Sequence, residues 1–141
     1  MQAMEISRTG MDVEWRRLQV IAQNLANMST VRTADGQPYQ AMRLISGPKA
    51  GFRQLMERGG DAAALQGVAV YGIEPVEAPP RRVYEPGNPQ ADSAGFVTYP
   101  GFDQASEMTL MVKTSRAYEL NLVTLNTARQ MYLKGLEVGK S

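Results

Sequence analysis

The sequence predicts a mainly α-helical fold with a small β middle, in which N- and C-terminal helices pair as an antiparallel, coiled-coil-like bundle. Two observations carry this prediction. Apolar residues recur with alternating three- and four-residue spacing at both ends of the 141-residue chain, as they do on helices that pack along their length. Most of the prolines and glycines lie between Val31 and Asp103, where little helical periodicity is visible.

The first helix is predicted from the heptad spacing of its apolar residues. The positions that form this first part of an apolar seam are Met4, Met11, Trp15, Leu18 and Leu25. Further apolar residues lie on other faces of the helix, which therefore needs more than one neighbour. The pattern stops near Asn27, where turn-forming residues follow. Residues 1–30 are interpreted as an N-terminal axial helix.

Residues 31–103 are interpreted as a middle region of β-hairpins on long loops. Alternation of apolar and polar residues predicts four short strands, at Tyr39–Ile45, Gly67–Glu74, Arg81–Glu85 and Phe96–Tyr99. The segment 47–66 mixes Gly, Ala, Arg and Gln, and it is compatible either with a flexible loop or with a short helix around 52–58. Four short strands on long loops are too few to form a large sheet.

The last segment carries the strongest periodic signal and predicts a helix from about Gln104 to about Val138. Residues 104–141 are interpreted as a C-terminal axial helix that pairs with the first. Its length of roughly 50 Å exceeds the diameter of a small core, so the helix must project or pack along an extended partner. Its share of the seam is Met108, Met111, Tyr118, Leu122, Leu125, Tyr132 and Leu136. Apolar residues outside the seam favour packing against helices of other chains.

Composition argues against catalysis and against several ligand classes. The chain has no Cys and no His, which removes the usual zinc ligands and general bases, and no catalytic, cofactor-binding or metal-binding residue is predicted. A net charge of +1 without a basic block argues against nucleic acid. No apolar run is long enough to span a bilayer, and no secretory signal is visible. A muramidase using Glu74 and Glu77 is a remote alternative, since both lie in a proline-bounded loop without a cleft.

Two N-terminal runs resemble the signature shared by flagellar rod and hook proteins. They are residues 6–11, with sequence ISRTGM, and residues 20–30, with sequence VIAQNLANMST. Residues 84–92, 95–100, 115–121 and 136–140 are similar to a proximal-rod member of the same family. The resemblance covers nearly the whole chain. The signature positions are Ser7, Gly10, Asn24, Leu25, Ala26, Asn27 and Thr30.

The resemblance implies a structural subunit of the proximal rod, which transmits torque from the motor to the hook. It implies export by the flagellar type III apparatus without a cleaved signal peptide, followed by assembly in the periplasm. The expected partners are other rod subunits, copies of this chain and the MS-ring and export-gate end of the basal body, with no small-molecule substrate. The alternatives are a generic coiled-coil adaptor or a different axial protein of the flagellum.

Overall fold

A computed structural model describes residues 2–49, 56–57, 59 and 66–140. It contains two long terminal helices joined by two small antiparallel sheets, so the predicted fold class is confirmed. The elements, in chain order, are α1 (Gln2–Ala26), β1 (Met42–Pro48), β2 (Val68–Pro75), β3 (Arg81–Tyr84), β4 (Phe96–Tyr99) and α2 (Gln104–Lys140). The choice between loop and helix around 52–58 falls mainly outside the described residues. The division of the chain into 1–30, 31–103 and 104–141 stays a prediction.

Helix α1 ends at an asparagine whose side chain reinforces the last turn. The Asn27 Nδ2 donates to the Gln23 carbonyl at 2.8 Å, and the Thr30 hydroxyl donates to the Asn27 Oδ1 at 3.1 Å. The Gln23 carbonyl also accepts from the Asn27 N–H at 3.1 Å, so the side chain adds a second bond to that carbonyl and ties Thr30 to the end of the helix. No described non-glycine residue has a positive φ, so this cap does not use the left-handed conformation.

Strands β1 and β2 form an antiparallel pair, with Leu44 opposite Ile73 and a register shift between Ile45 and Ser46. The predicted strand Tyr39–Ile45 was placed three residues too early. The reason is that the backbone before Met42 bonds elsewhere: the Tyr39 N–H donates to the Thr30 carbonyl, at 3.1 Å. Arg17 of α1 fits the irregularity in β1, donating to the Leu44 carbonyl at 3.1 Å and to the Ser46 hydroxyl at 2.7 Å.

Strands β3 and β4 form a second antiparallel pair, with Val83 opposite Val97. The loop between them is organised by Asp92, whose Oδ1 accepts hydrogen bonds from the N–H groups of Ala94 and Phe96, both at 2.9 Å. These bonds, the Phe96 N–H first among them, lower the pKa of the Asp92 carboxyl below its ordinary value. The strand predicted to reach Glu85 ends one residue earlier, because the Gly95 N–H donates to the Asp92 carbonyl and does not return the bond that the Glu85 N–H makes to the Gly95 carbonyl.

Helix α2 is 37 residues long and begins at a carboxylate cap. The Asp103 side chain accepts hydrogen bonds from the N–H groups of Ala105 and Ser106 and from the Ser106 hydroxyl. These are the donors that a helix N-terminus leaves unpaired, and a negative charge there is favoured by the helix dipole. The helix rises about 55 Å over its length.

Helix α1 lies between the first sheet and α2. Its sheet-facing side chains Val13 and Val20 form a small core with Leu44, and Met42, Val68 and Val70 pack around it. Because this core is small, the position of α2 depends on the other face of α1 and on the polypeptide that leads into α2.

We expect Gly101→Ala to destabilise the subunit by about 1–3 kcal/mol, the usual cost of inserting a methyl group where there is no room. A Cβ on Gly101 would overlap the backbone carbonyl oxygen of Pro79, which cannot rotate away as a side chain can. The control is Gly87→Ala, because a Cβ there meets nothing within 4 Å. Urea denaturation of both variants tests the expectation, and equal midpoints for the two would contradict it.

The depressed pKa of Asp103 predicts a pH-dependent contribution to stability. Hydrogen bonds from Ser106, its hydroxyl first, hold that pKa below the ordinary value of 3.8. The stabilisation is therefore present above pH 4 and is lost as the pH falls through the lower pKa of the folded state. Asp103→Asn keeps a capping side chain without the charge. Thermal melting from pH 7 to pH 3 should show the variant less stable at neutral pH, with the difference vanishing in acid; a constant difference would refute this.

Candidate assembly interface

Asn24 is fully buried and makes a complete set of hydrogen bonds between α1, β1 and α2. Its Nδ2 donates to the Met42 carbonyl at 2.9 Å and to the Glu107 Oε2 at 3.2 Å. Its Oδ1 accepts from the Met42 N–H and from the Tyr39 hydroxyl, both at 2.9 Å. An asparagine side chain has two donor hydrogens and two acceptor lone pairs, so every one of them is used.

Glu107, also fully buried, completes what we call the Asn24 network: Asn24, Tyr39, Met42, Arg43 and Glu107. The Arg43 Nη2 forms an ion pair with the Glu107 Oε1. Arg43 is about one-third exposed whereas the Glu107 side chain is 1% exposed, so the pair runs from the surface into the interior. Burial, and secondly the negative charge of Glu107, raise the pKa of the Tyr39 hydroxyl. That hydroxyl therefore remains a hydrogen-bond donor at neutral pH.

The two helices run antiparallel and approach closely along small side chains. Asn24 near the end of α1 contacts Glu107 near the start of α2, whereas Gly10 faces Asn121. A Cβ on Gly10 would overlap the Asn121 side chain, which donates to the Ala117 carbonyl at 2.9 Å. The residues of α1 and α2 that are buried outside the sheet-facing core are mostly small or polar: Ser7, Gly10, Ile21, Asn24, Glu107, Thr114 and Ala128.

This observed helix contact differs from the bulky apolar seam predicted from the sequence. On α2 the buried positions Glu107, Thr114 and Ala128 follow the same seven-residue spacing as the predicted positions Met108, Leu122 and Leu136, but one residue earlier. The half-buried members of the predicted seam border the contact: Met4, Met11, Leu18, Leu25, Met111, Tyr118 and Leu125. The exposed members are Trp15, Met108, Leu122, Tyr132 and Leu136. Small residues occupy the centre because the backbones approach closely there, which leaves the large apolar side chains at the border or outside.

The signature residues divide into two groups. Ser7, Gly10 and Asn24 are buried within the subunit. Asn27 and Thr30 cap α1, Leu25 is half-buried and Ala26 is exposed. Three of the seven signature positions thus lie at the centre of the fold, and at Gly10 a larger side chain would overlap Asn121.

Sequence reasoning missed Tyr39, Arg43 and Glu107, which complete the Asn24 network. A signal for Glu107 is present in the sequence, since Glu107, Thr114, Asn121 and Ala128 recur every seven residues. This polar and small series runs beside the apolar one, and a search for bulky residues passes over it. Tyr39 and Arg43 have no comparable signal, because their role depends on the position of β1 against α1.

The outer faces of the helices carry an extensive exposed apolar surface. Trp15 is 54% exposed and packs on one side against Tyr118, at 6.2 Å between ring centroids. Every residue from 129 to 140 is exposed, and we call this segment the projecting end of α2. The large exposed apolar residues of α2 are Met108, Val112, Leu120, Leu122, Val123, Met131, Tyr132, Leu133, Leu136 and Val138.

The middle region offers no catalytic arrangement among the described residues. Glu74 and Glu77 are both exposed, on β2 and on the connection after it. The Tyr99 hydroxyl donates to the Glu85 Oε2 at 3.0 Å, and this bond raises the pKa of Tyr99. Within the described ranges, no cluster of three or more acidic side chains is placed to hold a metal ion, and no helix is long and apolar enough to cross a membrane.

A slender helical pair with so much uncovered apolar surface defines a structural subunit of a larger assembly. The family model for the flagellar basal body rod FlgEFG protein C-terminal region matches residues 93–138. The chain is 38% identical to the flagellar basal-body rod protein FlgC of Salmonella typhimurium and 37% identical to that of Escherichia coli O6:H1, each over 96% of this chain and 95% of the relative. It is 31% identical to FlgC of Bacillus subtilis, over 98% and 97% respectively.

The chain therefore belongs to the FlgC family of flagellar basal-body rod proteins. It is a structural protein of the bacterial flagellum and not an enzyme, in agreement with the interpretation drawn from its sequence motifs.

We expect Asn24→Asp to destabilise the subunit by about 3 kcal/mol or more at pH 7, because it removes two buried donors and places a carboxylate beside Glu107. The side chain keeps its size, so no cavity contributes. Asn126→Asp, on the exposed surface of α2, is the matched control and should change stability by less than about 0.5 kcal/mol. Urea denaturation measures both; similar losses for the two variants would show that the Asn24 network contributes little.

Proposed function

We propose that this subunit polymerises in the proximal rod by burying its exposed helix surfaces against other rod subunits and copies of itself. The observation that carries the proposal is the apolar surface that extends along α2 and continues into the projecting end. Soluble monomers rarely leave contiguous apolar patches of this kind uncovered, and such patches mark interaction sites. Rod subunits assembled in this way would transmit torque from the motor to the hook.

The energetic argument rests on the number of exposed side chains. Each large apolar side chain that passes from exposure to burial contributes on the order of 1.5–3 kcal/mol before the entropy of ordering is subtracted. Contacts that join different surfaces of successive copies produce a helical array when the rotation does not close. A shaft formed in this way is stiffened by many small contributions along every helix.

The predicted seam enters this proposal through its exposed members. Trp15, Met108, Leu122, Tyr132 and Leu136 would face neighbouring chains, whereas the half-buried members border the contact between α1 and α2. A helix of a neighbouring subunit that packs along the edge of the α1–α2 contact would touch both the exposed and the half-buried members of the predicted seam. The predicted seam would then serve assembly more than the pairing of the two helices within one chain.

Position and route of export follow from the family resemblance. Relatives named as basal-body rod proteins support a place in the rod. We propose that the chain reaches the periplasm through the flagellar type III apparatus without a cleaved signal peptide. There it would lie toward the MS ring and the export gate.

The two remaining alternatives predict different outcomes in basal bodies. A coiled-coil adaptor would form a discrete oligomer and would be absent from purified basal bodies. A different axial protein would be found along the hook. A label on this chain that is confined to the MS-ring end of the rod would support the proposal against both.

We expect Leu136→Asp to reduce incorporation into the rod strongly while leaving the isolated subunit as stable as wild type. Leu136 is 47% exposed within the projecting end, so a charge there is solvated in the free subunit but would be buried without a partner in the rod. Incorporation should fall by at least about tenfold, the effect of roughly 1.4 kcal/mol.

Gln130→Asp introduces the same charge at an exposed polar position of the same segment and serves as the control. Thermal melting of the purified subunits and quantification of the chain in isolated basal bodies provide the two measurements. Normal incorporation and swimming of the Leu136→Asp strain would exclude the projecting end from the assembly contact.

A further inference from the structure

Helix α2 is long enough to pair with α1 in more than one register. It has 37 residues whereas α1 has 25, so α2 exceeds its partner by twelve residues. Moving α2 by one heptad, about 10 Å along the axis, would leave all of α1 paired. The length of the two helices therefore does not select the register that the structure shows.

The side chains between the helices also discriminate weakly. The heptad series Glu107, Thr114, Asn121 and Ala128 presents small or polar residues at every turn that meets α1. Gly10 faces Asn121, and a one-heptad shift would place it opposite Ala128, an even smaller residue. Apart from Ile21 of α1, the buried residues of this contact are small or polar, so they include no other large knob that fits only one hole and discriminate weakly against such a shift.

The buried polar contact between the helices is specific to one register. In that register the Glu107 carboxylate accepts from the Asn24 Nδ2 at 3.2 Å and pairs with Arg43. After a one-heptad shift Asn24 would face Thr114, and Arg43 would lose its carboxylate. Leaving a buried donor or charge without its partner is costly, and single buried polar residues set the register of paired helices in this way.

We propose that Glu107, held by Asn24 and Arg43, is the positioning residue that sets the register of α2 against α1. The register in turn decides how much of α2 extends past the start of α1. With Glu107 against Asn24, the twelve exposed residues 129–140 form an extension of about 18 Å. A one-heptad shift would shorten that extension by more than half. The inference concerns the subunit itself and holds whether or not the projecting end makes the assembly contact.

Cysteine cross-linking of the purified full-length subunit reads the register directly, because the natural sequence contains no cysteine. Trp15→Cys with Tyr118→Cys reports the observed register, since the two rings are 6.2 Å apart. Trp15→Cys with Leu125→Cys reports a shift of one heptad. A bifunctional thiol reagent shorter than the displacement of about 10 Å distinguishes them.

The first test removes both charged partners with Glu107→Leu and Arg43→Met, which leaves Asn24 its bonds to Met42 and Tyr39. The ratio of shifted to observed cross-link should rise at least about tenfold, as expected for losing a charge-assisted hydrogen bond. Glu107→Gln keeps one acceptor oxygen for the two donors, Asn24 Nδ2 and Arg43 Nη2, so the ratio should rise by less than in the double variant. Glu119→Leu, an exposed glutamate on the same helix, is the matched control and should keep the wild-type ratio.

The second test moves the carboxylate by one heptad, combining Glu107→Leu with Thr114→Glu. Only the shifted register pairs this carboxylate with Asn24 and Arg43, so the shifted cross-link should predominate. This variant decides the question even if the first fails to fold, since its expected register restores every polar partner. If the observed cross-link predominates in this variant, the proposal is overturned, and the contact of Gly101 with Pro79 becomes the determinant of the register.

Discussion

The structure depends on the complete hydrogen bonding of one buried amide. Asn24 is the place where the N-terminal helix, the first strand and the C-terminal helix meet, and the small apolar core lies on only one side of it. A chain with so little buried apolar surface cannot select one arrangement of three elements by hydrophobic contact alone. Directional bonds in a dry environment make that selection, because any other arrangement leaves polar groups unpaired. No buried side-chain nitrogen or oxygen among the described residues lacks a partner.

Periodicity was sufficient to predict both terminal helices, because strands and loops do not produce a three- and four-residue spacing of apolar residues over many turns. The four strands were also predicted, as β-hairpins without an assignment of which strand pairs with which, and the error in their bounds is concentrated at β1. Before this strand the Tyr39 N–H donates to the Thr30 carbonyl, nine residues earlier in the chain, and no local pattern of apolar residues records such a bond. Local propensity cannot detect a strand boundary that is set by contacts outside the strand.

The helix contact shows a different limit of sequence reasoning. Ranking residues by hydrophobicity selects Met108 and Leu122, although the positions nearest α1 are Glu107 and Asn121. Hydrophobicity measures the gain from leaving water, and a neighbouring chain can supply that gain as well as the chain itself. Close approach of two backbones depends on side-chain volume instead. In a subunit built for assembly, the most apolar stripe and the most buried stripe need not coincide.

The side chains of α1 also cover the outer edge of β1. Asn24 occupies both the N–H and the carbonyl of Met42, and Arg17 occupies the carbonyl of Leu44. An uncovered strand edge is a template for adding a strand from another molecule, which is the common route to aggregation. The Met42 N–H and carbonyl and the Leu44 carbonyl are therefore already occupied from within the chain. At high concentration, copies of the subunit are therefore less able to add strands to one another along this edge. Their helices remain the surfaces through which they can associate.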